Sequence, residues 1–240
     1  MVNNVNKFGF LLINKPPGPT SHDIIDELRE ITNIRKIGHA GTLDPFASGL
    51  LIVAVGREAT RQISEFVKLD KKYVARLRLG YVSDTYDRTG VIKDIVNRVN
   101  KMVNKVNNLK HPKLSEIKSA LQGFLGEQLQ VPPMFSAKKV KGKKLYELAR
   151  AGKEVEREPV KINIYELSLI KYDYPYLTID AHCSSGTYIR TIAHDIGQRL
   201  GIGAYLKELK RTQIGEYELR NAVELKGLTK ENFSQFLFLL

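Results

Sequence analysis

Apolar side chains recur along this chain with two different periods. Residues 8–13 (FGFLLI) form a short apolar run closed by Lys15-Pro16-Pro17-Gly18-Pro19. Proline lacks the N–H a strand ladder needs, so the run predicts a strand that stops there. Ser21 offers a helix N-cap, and Ile24, Ile25, Leu28 and Ile31 follow at helical spacing. Residues 50–55 (LLIVAV) are continuously apolar up to Gly56. They predict a strand buried on both faces, followed by a helix through Ile63, Phe66 and Val67. Tyr73, Ala75, Leu77 and Leu79 alternate with Lys72, Arg76 and Arg78, which predicts a half-buried strand. The same period returns in Val160, Ile162 and Ile164, and in Leu177, Ile179, Ala181 and Cys183. From Thr187 to Leu200 the period turns helical through Ile189, Ile192, Ile196 and Leu200. This irregular mixture predicts an α+β fold, a large and mainly antiparallel mixed sheet flanked by helices.

Composition and charge narrow the function classes. A chain of 240 residues, 42% hydrophobic, can bury a sizeable core, and a single domain over residues 1–240 is expected. Thirty-eight Lys and Arg against 26 Asp and Glu leave a net charge of +12, which favours a polyanionic partner. Cys183 is the sole cysteine, so neither an intrachain disulfide nor a CxxC zinc set can form. His22, His39, His111, His182 and His194 are scattered without metal-ligand spacing. The first six residues lack the basic and apolar regions of a signal peptide. No apolar run approaches the ~20 residues of a spanning helix. A cytoplasmic, metal-free protein is expected. Two segments are unusually basic: about residues 96–110, rich in Asn and Lys, and residues 138–144, which carry Lys138, Lys139, Lys141, Lys143 and Lys144.

One stretch has the character of a reactive loop. Gly38-His39-Ala40-Gly41-Thr42-Leu43-Asp44-Pro45 allows tight turns at its glycines, and Pro45 pushes Asp44 out of helical geometry. A carboxylate is thereby presented from a constrained loop just before a core strand. Phosphate-cradling motifs are absent, as is the GxSxG elbow of serine hydrolases. A second candidate is Arg190, in the first turn of the helix fed by Ser184-Ser185-Gly186-Thr187-Tyr188. With Ile189, Ile192 and Ile196 on the core face, Arg190 projects toward a sheet edge. A cation in a first turn opposes the helix dipole, which points to an anionic partner.

Together these residues resemble the motifs of the TruB-type tRNA pseudouridine synthases. The likeness opens at Lys15-Pro16, Gly18 and Thr20-Ser21-His22 and continues through residues 38–45. It includes Ser48-Gly49-Leu50-Leu51, Gly56-Arg57-Glu58-Ala59-Thr60-Arg61, Lys72-Tyr73, Gly80, Ser83-Asp84-Thr85-Tyr86-Asp87 and Gly90. Gln130-Val131-Pro132-Pro133, Ser136-Ala137-Lys138-Lys139-Val140 with Gly142, and Leu145-Tyr146-Glu147-Leu148-Ala149-Arg150 follow in order. Gly186-Thr187-Tyr188-Ile189-Arg190, Gly203-Ala204 and Leu209 close the set, which covers about residues 9 to 215.

The resemblance implies isomerisation of a T-loop uridine of tRNA, at position 55, to pseudouridine, without a cofactor or metal. Asp44 matches the family's catalytic aspartate, acting as nucleophile at the ribose C1′ or as base at C2′. Arg190 matches the arginine that pairs with that carboxylate, and Tyr73 the aromatic that stacks on the target base. Leu209 and Lys15 match residues beside the pocket, and His39 one that supports the extruded nucleotides. The lysines of residues 138–144 are then expected to grip phosphates. tRNA is the expected partner, through its T-arm and elbow, with no membrane, no protein partner and a monomeric state. The chain ends in FSQFLFLL, and no C-terminal PUA module is expected, which weighs against the guide-dependent relatives acting on rRNA. A non-catalytic tRNA-folding module is the rival reading. Asn14 stands where the family frequently has aspartate.

Overall fold

The computed structural model describes residues 8–95, 111–136, 138–140 and 142–240. The basic segment at about residues 96–110 lies outside the described residues, as does Lys141. In chain order the elements are β1 (Gly9–Lys15), α1 (Ser21–Thr32), β2 (Ile37–Ala40), β3 (Ser48–Val55), α2 (Arg57–Arg61) and α3 (Ser64–Val67). They continue with β4 (Lys71–Leu79), β5 (Tyr81–Ser83), β6 (Ile92–Asp94), α4 (Leu114–Gln122) and β7 (Gly126–Gln130). Next come β8 (Lys139–Val140), β9 (Lys143–Lys144), α5 (Leu145–Arg150), β10 (Val160–Asp173) and β11 (Tyr176–Cys183). The last are α6 (Ile189–Arg199), β12 (Ala204–Ile214) and β13 (Tyr217–Glu218).

Hydrogen bonding orders the large sheet β1–β3–β12–β4–β11–β10–β7, with β2 also on β3 and β13 on β12. β12 runs parallel to β3, whereas β1–β3, β2–β3, β10–β11, β7–β10 and β12–β13 are antiparallel. The sheet is therefore mixed and mainly antiparallel, as the periodicity predicts. The chain divides into two compact units, residues 1–73 with 209–240, and residues 74–208.

In the first unit β3 is buried on both faces, as its unbroken apolar run requires. Leu51, Val53 and Val55 join Leu11, Ile13, Ile24, Ile25 and Leu28 in one cluster, and Leu50, Ile52 and Ala54 join Phe10, Phe66 and Ile214 in another. Each such Leu or Ile contributes about 1.5–3 kcal/mol on burial. The C-terminal segment docks on β1, where Phe10 and Phe238 exchange backbone hydrogen bonds at 2.8 and 3.0 Å.

Two local expectations are corrected here. The N-cap of α1 is Thr20, not Ser21: the Thr20 hydroxyl accepts from the Asp23 amide at 3.0 Å, and Asp23 accepts from the Thr20 amide at 2.7 Å. The Ser21 hydroxyl is occupied elsewhere, against Leu43. The single helix expected through Ile63, Phe66 and Val67 is broken in two. At Gln62 the amide bonds Ala59 three residues back, and Glu65 bonds Gln62 likewise, so the chain bends and seats Phe66 in the core.

In the second unit β4 alternates strictly, burying Ala75, Leu77 and Leu79. Leu177, Ile179, Ala181 and Cys183 of β11 are buried in the same rhythm, and α6 buries Ile189, Ile192 and Ile196. The lysine-rich segment folds as a short hairpin, with Lys139 opposite Lys144 and Val140 opposite Lys143.

Candidate active site

The Asp44 loop emerges where β3 changes partners. β1 lines one edge of β3 from Gly49 to Val55, so the other edge must serve both β2 and β12. On that edge β2 pairs Ala40 with Ile52 and ends, and β12 takes over with Arg211 opposite Gly49. Residues 41–47 bridge the handover. Gly49 adopts φ +107°, and a Cβ there would lie 2.2 Å from the Arg211 carbonyl oxygen, so only glycine allows this close approach.

The loop is fixed by two side chains and by backbone amides. The Ser21 hydroxyl accepts from the Leu43 amide at 2.9 Å and faces the Leu43 carbonyl at 3.2 Å. The Lys15 ammonium donates to the carbonyls of Pro16, Pro19 and Pro45 at 2.8, 2.6 and 3.3 Å. The Gly18 amide donates to Pro45 at 2.8 Å, and the Ala47 amide closes back on the Asp44 carbonyl at 3.0 Å. Asp44 itself is half-buried.

The central group of the site is one that sequence reasoning missed. Arg211 is buried to 2% exposure; its Nε donates to Leu50 O at 2.7 Å and its Nη2 to Gly41 O at 3.0 Å. It also hydrogen-bonds the Tyr73 side chain and is attracted by the Asp44 carboxylate. Burial pushes the guanidinium's pKa down, and Tyr73 and Asp44 push back. A buried cation survives only with such partners. On β12, Leu209 lies two residues before Arg211, on the same face, and is also buried. The signal for Arg211 is this alternation of Leu209 and Arg211 with the exposed Glu208 and Lys210, in the charged stretch 207–211.

Lys15 is fully buried, which lowers its pKa to about 8; Asp44 and Asp23 raise it against that trend, and Arg211 lowers it further. His39, on β2, is likewise held below the usual imidazole range by burial first, then by Arg211 and His22. Its Nδ1 is buried with no hydrogen-bond partner among the described residues. The first unit thus gathers Asp44, Lys15, Tyr73, His39 and Leu209 around Arg211.

The other expected site residues belong to the second unit. Arg190 is not a solvated charge: it is 4% exposed, and its Nη1 lies 3.4 Å from Asp87 Oδ2 and donates to Thr85 O at 3.4 Å. Its Nη2 donates to Phe135 O at 3.0 Å. Asp87 is held in turn by the Thr85 hydroxyl at 2.9 Å and by the Thr89 amide and hydroxyl at 2.8 and 2.5 Å. The anionic partner suggested by the helix position thus includes Asp87, which sequence reading noted only as part of a motif. Lys138 is half-exposed and Lys143 exposed.

Comparison with known proteins decides the family. The model of the TruB family pseudouridylate synthase N-terminal domain matches residues 29–189, and that of the tRNA pseudouridylate synthase B C-terminal domain matches residues 190–235. The chain belongs to the TruB family of pseudouridylate synthases. It is 49% identical over 215 residues to tRNA pseudouridine synthase B of Protochlamydia amoebophila (strain UWE25), covering 90% of this chain and 77% of that protein. Identity to tRNA pseudouridine synthase B of Clostridium novyi (strain NT) is 43%, covering 95% and 75%, and to that of Chlamydia muridarum (strain MoPn / Nigg) 44%, covering 95% and 89%. Among solved structures, the crystal structure of a Cbf5-Nop10-Gar1 complex matches with TM-score 0.69 and 28% identity. An H/ACA RNP bound to a substrate RNA containing 2′-deoxyuridine matches with TM-score 0.66 and 25% identity. These two cover 92% and 94% of this TruB-family chain, which spans only 53% and 54% of theirs. No described helix is long and apolar enough to cross a membrane.

Proposed function

We propose that this TruB-family chain isomerises a uridine in the T-loop of tRNA to pseudouridine, with Asp44 as the reacting carboxylate. The observation that carries the reading is the Asp44 loop fastened to a buried arginine that also holds Tyr73. In the reaction the N1–C1′ bond breaks, the uracil turns, C5 bonds to C1′, and the C5 proton is lost as N1 gains one. Atoms and electrons balance within the nucleoside. Asp44 either attacks C1′ or removes the C2′ proton, and both roles need an ionised, oriented carboxylate. Arg211 and the Lys15 ammonium favour the ionised form by charge, and the fixed loop supplies orientation. Tyr73 offers a ring face for an extruded base, since enzymes acting on a base take it out of its stack. Arg190 enters the proposal as a positioning arginine, supported by its burial and by Asp87. The substrate contact is assigned to the T-arm and elbow, with the 138–144 lysines on phosphates.

Asp44→Asn should abolish tritium release from a tRNA transcript carrying 5-tritiated uridine while leaving tRNA affinity within a few-fold. Full activity in Asp44→Asn would overturn the assignment. Binding without tritium release by the parent protein would favour a tRNA-folding module. Arg190→Lys keeps the charge but loses the planar fork, and turnover should fall severely.

A further inference from the structure

A cleft of about 210 Å³ lies within the second unit, lined among others by Pro132, Lys138, Lys161, Ser185, Gly186 and Tyr188. It lies apart from the Asp44 loop and the groups around Arg211, and of its lining only Lys138 enters the proposed function. The geometry points to this cleft as a subsite for one nucleotide of the substrate RNA, its phosphodiester held by Lys138 and Lys161. This rests on the proposed tRNA substrate.

Three observations carry it. The first is charge. Two lysines line the cleft, and a third cation stands behind it: Arg157 Nη1 donates to the Pro132 carbonyl at 3.2 Å, while its Nε is buried without a hydrogen-bond partner among the described residues. Two acids are recorded against these cations: Glu154 Oε1 lies 3.4 Å from Arg157 Nη2 and pairs with it, and Glu127 lies 3.9 Å from the Lys161 ammonium, both side chains of this second pair being at least 77% exposed. Such a solvated pair is weak and yields readily to a phosphate.

The second is the loop after β11. Gly186 has φ +81° in the turn from Ser184 to Thr187, and the amides of Ser185 and Gly186 have no acceptor among the described residues. Successive free amides at a left-handed turn suit an anion. The third is rigidity. The Gln130 side chain brackets the Tyr188 backbone, accepting from its amide at 2.7 Å and donating to its carbonyl at 3.1 Å. Gln130 is itself 4% exposed, so the wall of the cleft is set before any ligand arrives. The apolar surface of Pro132 and the Tyr188 backbone fit the sugar of a nucleotide better than a bare phosphate ion.

The test uses a T-arm RNA hairpin titrated against the full chain at several salt concentrations. Lys161→Gln should weaken binding roughly three- to tenfold and reduce the slope of log affinity against log salt by about 0.7–0.9. Lys161→Arg should retain both. Lys161 is 80% exposed, so all variants should melt like the parent. A hairpin with one neutral methylphosphonate at the contacted phosphate should bind the parent more weakly and Lys161→Gln no more weakly than that variant binds the normal hairpin. Unchanged affinity and slope in Lys161→Gln, with the parent still forming pseudouridine, overturns the subsite alone. Equal losses in Lys161→Arg also overturn it, because charge is then not what matters. Competition by millimolar inorganic phosphate as effective as by RNA would mark a simple anion site and reject the nucleotide assignment. A parent that neither binds nor converts tRNA overturns the underlying function instead.

Discussion

The Arg211 guanidinium is matched group by group, and each of its partners is a separate point of failure. Nε is taken by Leu50 O, Nη2 by Gly41 O, and the Tyr73 side chain accepts a further bond. Tyr73→Phe keeps the ring face but leaves one buried N–H without an acceptor, at a cost of about 1–3 kcal/mol. Urea unfolding should show that loss, and unchanged stability would remove the Tyr73–Arg211 bond from the account. Turnover should fall further in Tyr73→Leu, which loses the ring as well. If both variants are equally inactive, the hydroxyl rather than the ring face carries the chemistry.

Lys15 makes a pH prediction. Its folded pKa near 8 lies below the ordinary lysine value of 10.5, so between those values the unfolded chain binds more protons than the folded one. The buried ammonium therefore costs stability below pH 8, and that cost is relieved as pH rises from 8 toward 10.5. Over the same rise the positive charge beside Asp44 disappears, and its support for the carboxylate with it. Carbon-13 NMR of the lysine ε-carbons should reveal one resonance with a midpoint near 8 that is missing in Lys15→Met. A midpoint near 10.5 for Lys15 would show that the ammonium is better solvated than its burial implies.

At the scale of elements, the site depends on a glycine that lets two strands meet. Alanine at Gly49 would meet the β12 backbone at 2.2 Å and would also have to adopt φ +107°. Backbone must move, and Gly49→Ala should cost about 2–4 kcal/mol. Since the atoms in the way belong to Arg211, turnover should drop even at temperatures where the variant remains folded. Gly152→Ala is the contrast: φ is +68° there but the space is open, so only a conformational cost of about 1–2 kcal/mol should appear. Equal effects on activity from the two variants would deny β12 its positioning role.

The same contrast explains what the sequence could tell. β3, β4 and β11 were legible because burial on one or both faces imposes a simple period. Thr20 was not, because two adjacent hydroxyls compete for one cap, and only the tertiary demand of Leu43 on Ser21 decides between them. The break at Gln62 has a similar origin, since the apolar spacing fits one helix and the core requirement of Phe66 overrides it. Asp44 and Arg190 stood out from their loop and helix positions and took their roles from the family's motifs, which alone named Tyr73, Lys15, Leu209 and His39. Arg211 and Asp87 escaped because their importance lies in partners far along the chain, at Gly41 and Leu50 in one case and Arg190 in the other.

For the molecule as a whole, the division of the chain by packing does not follow the division by family model. The family models meet between residues 189 and 190, whereas the compact units change over at Tyr73/Val74 in β4 and at Glu208/Leu209 in β12. Tyr73, Leu209 and Arg211 all fall in the first unit, and they sit on the strands β4 and β12 rather than on loops. Rigid strands hold such groups more accurately than loops do.

The net charge of +12 adds a property that no single residue carries. A protein this basic attracts any polyanion over distances set by screening, about 8 Å at physiological ionic strength and nearer 30 Å at 0.01 M. At low salt an unrelated RNA of equal length should then compete with tRNA almost as well as tRNA itself. Counterion release weakens phosphate contacts as salt rises, whereas the stacking of an extruded base proposed for Tyr73 would be far less sensitive. Preference for tRNA should accordingly grow with salt even as absolute affinity falls. Competition binding from about 0.02 to 0.2 M salt measures both trends. A preference that stays constant across that range would mean that discrimination and attraction come from the same phosphate contacts, and the division of labour between the basic surface and the Asp44 site would have to be abandoned.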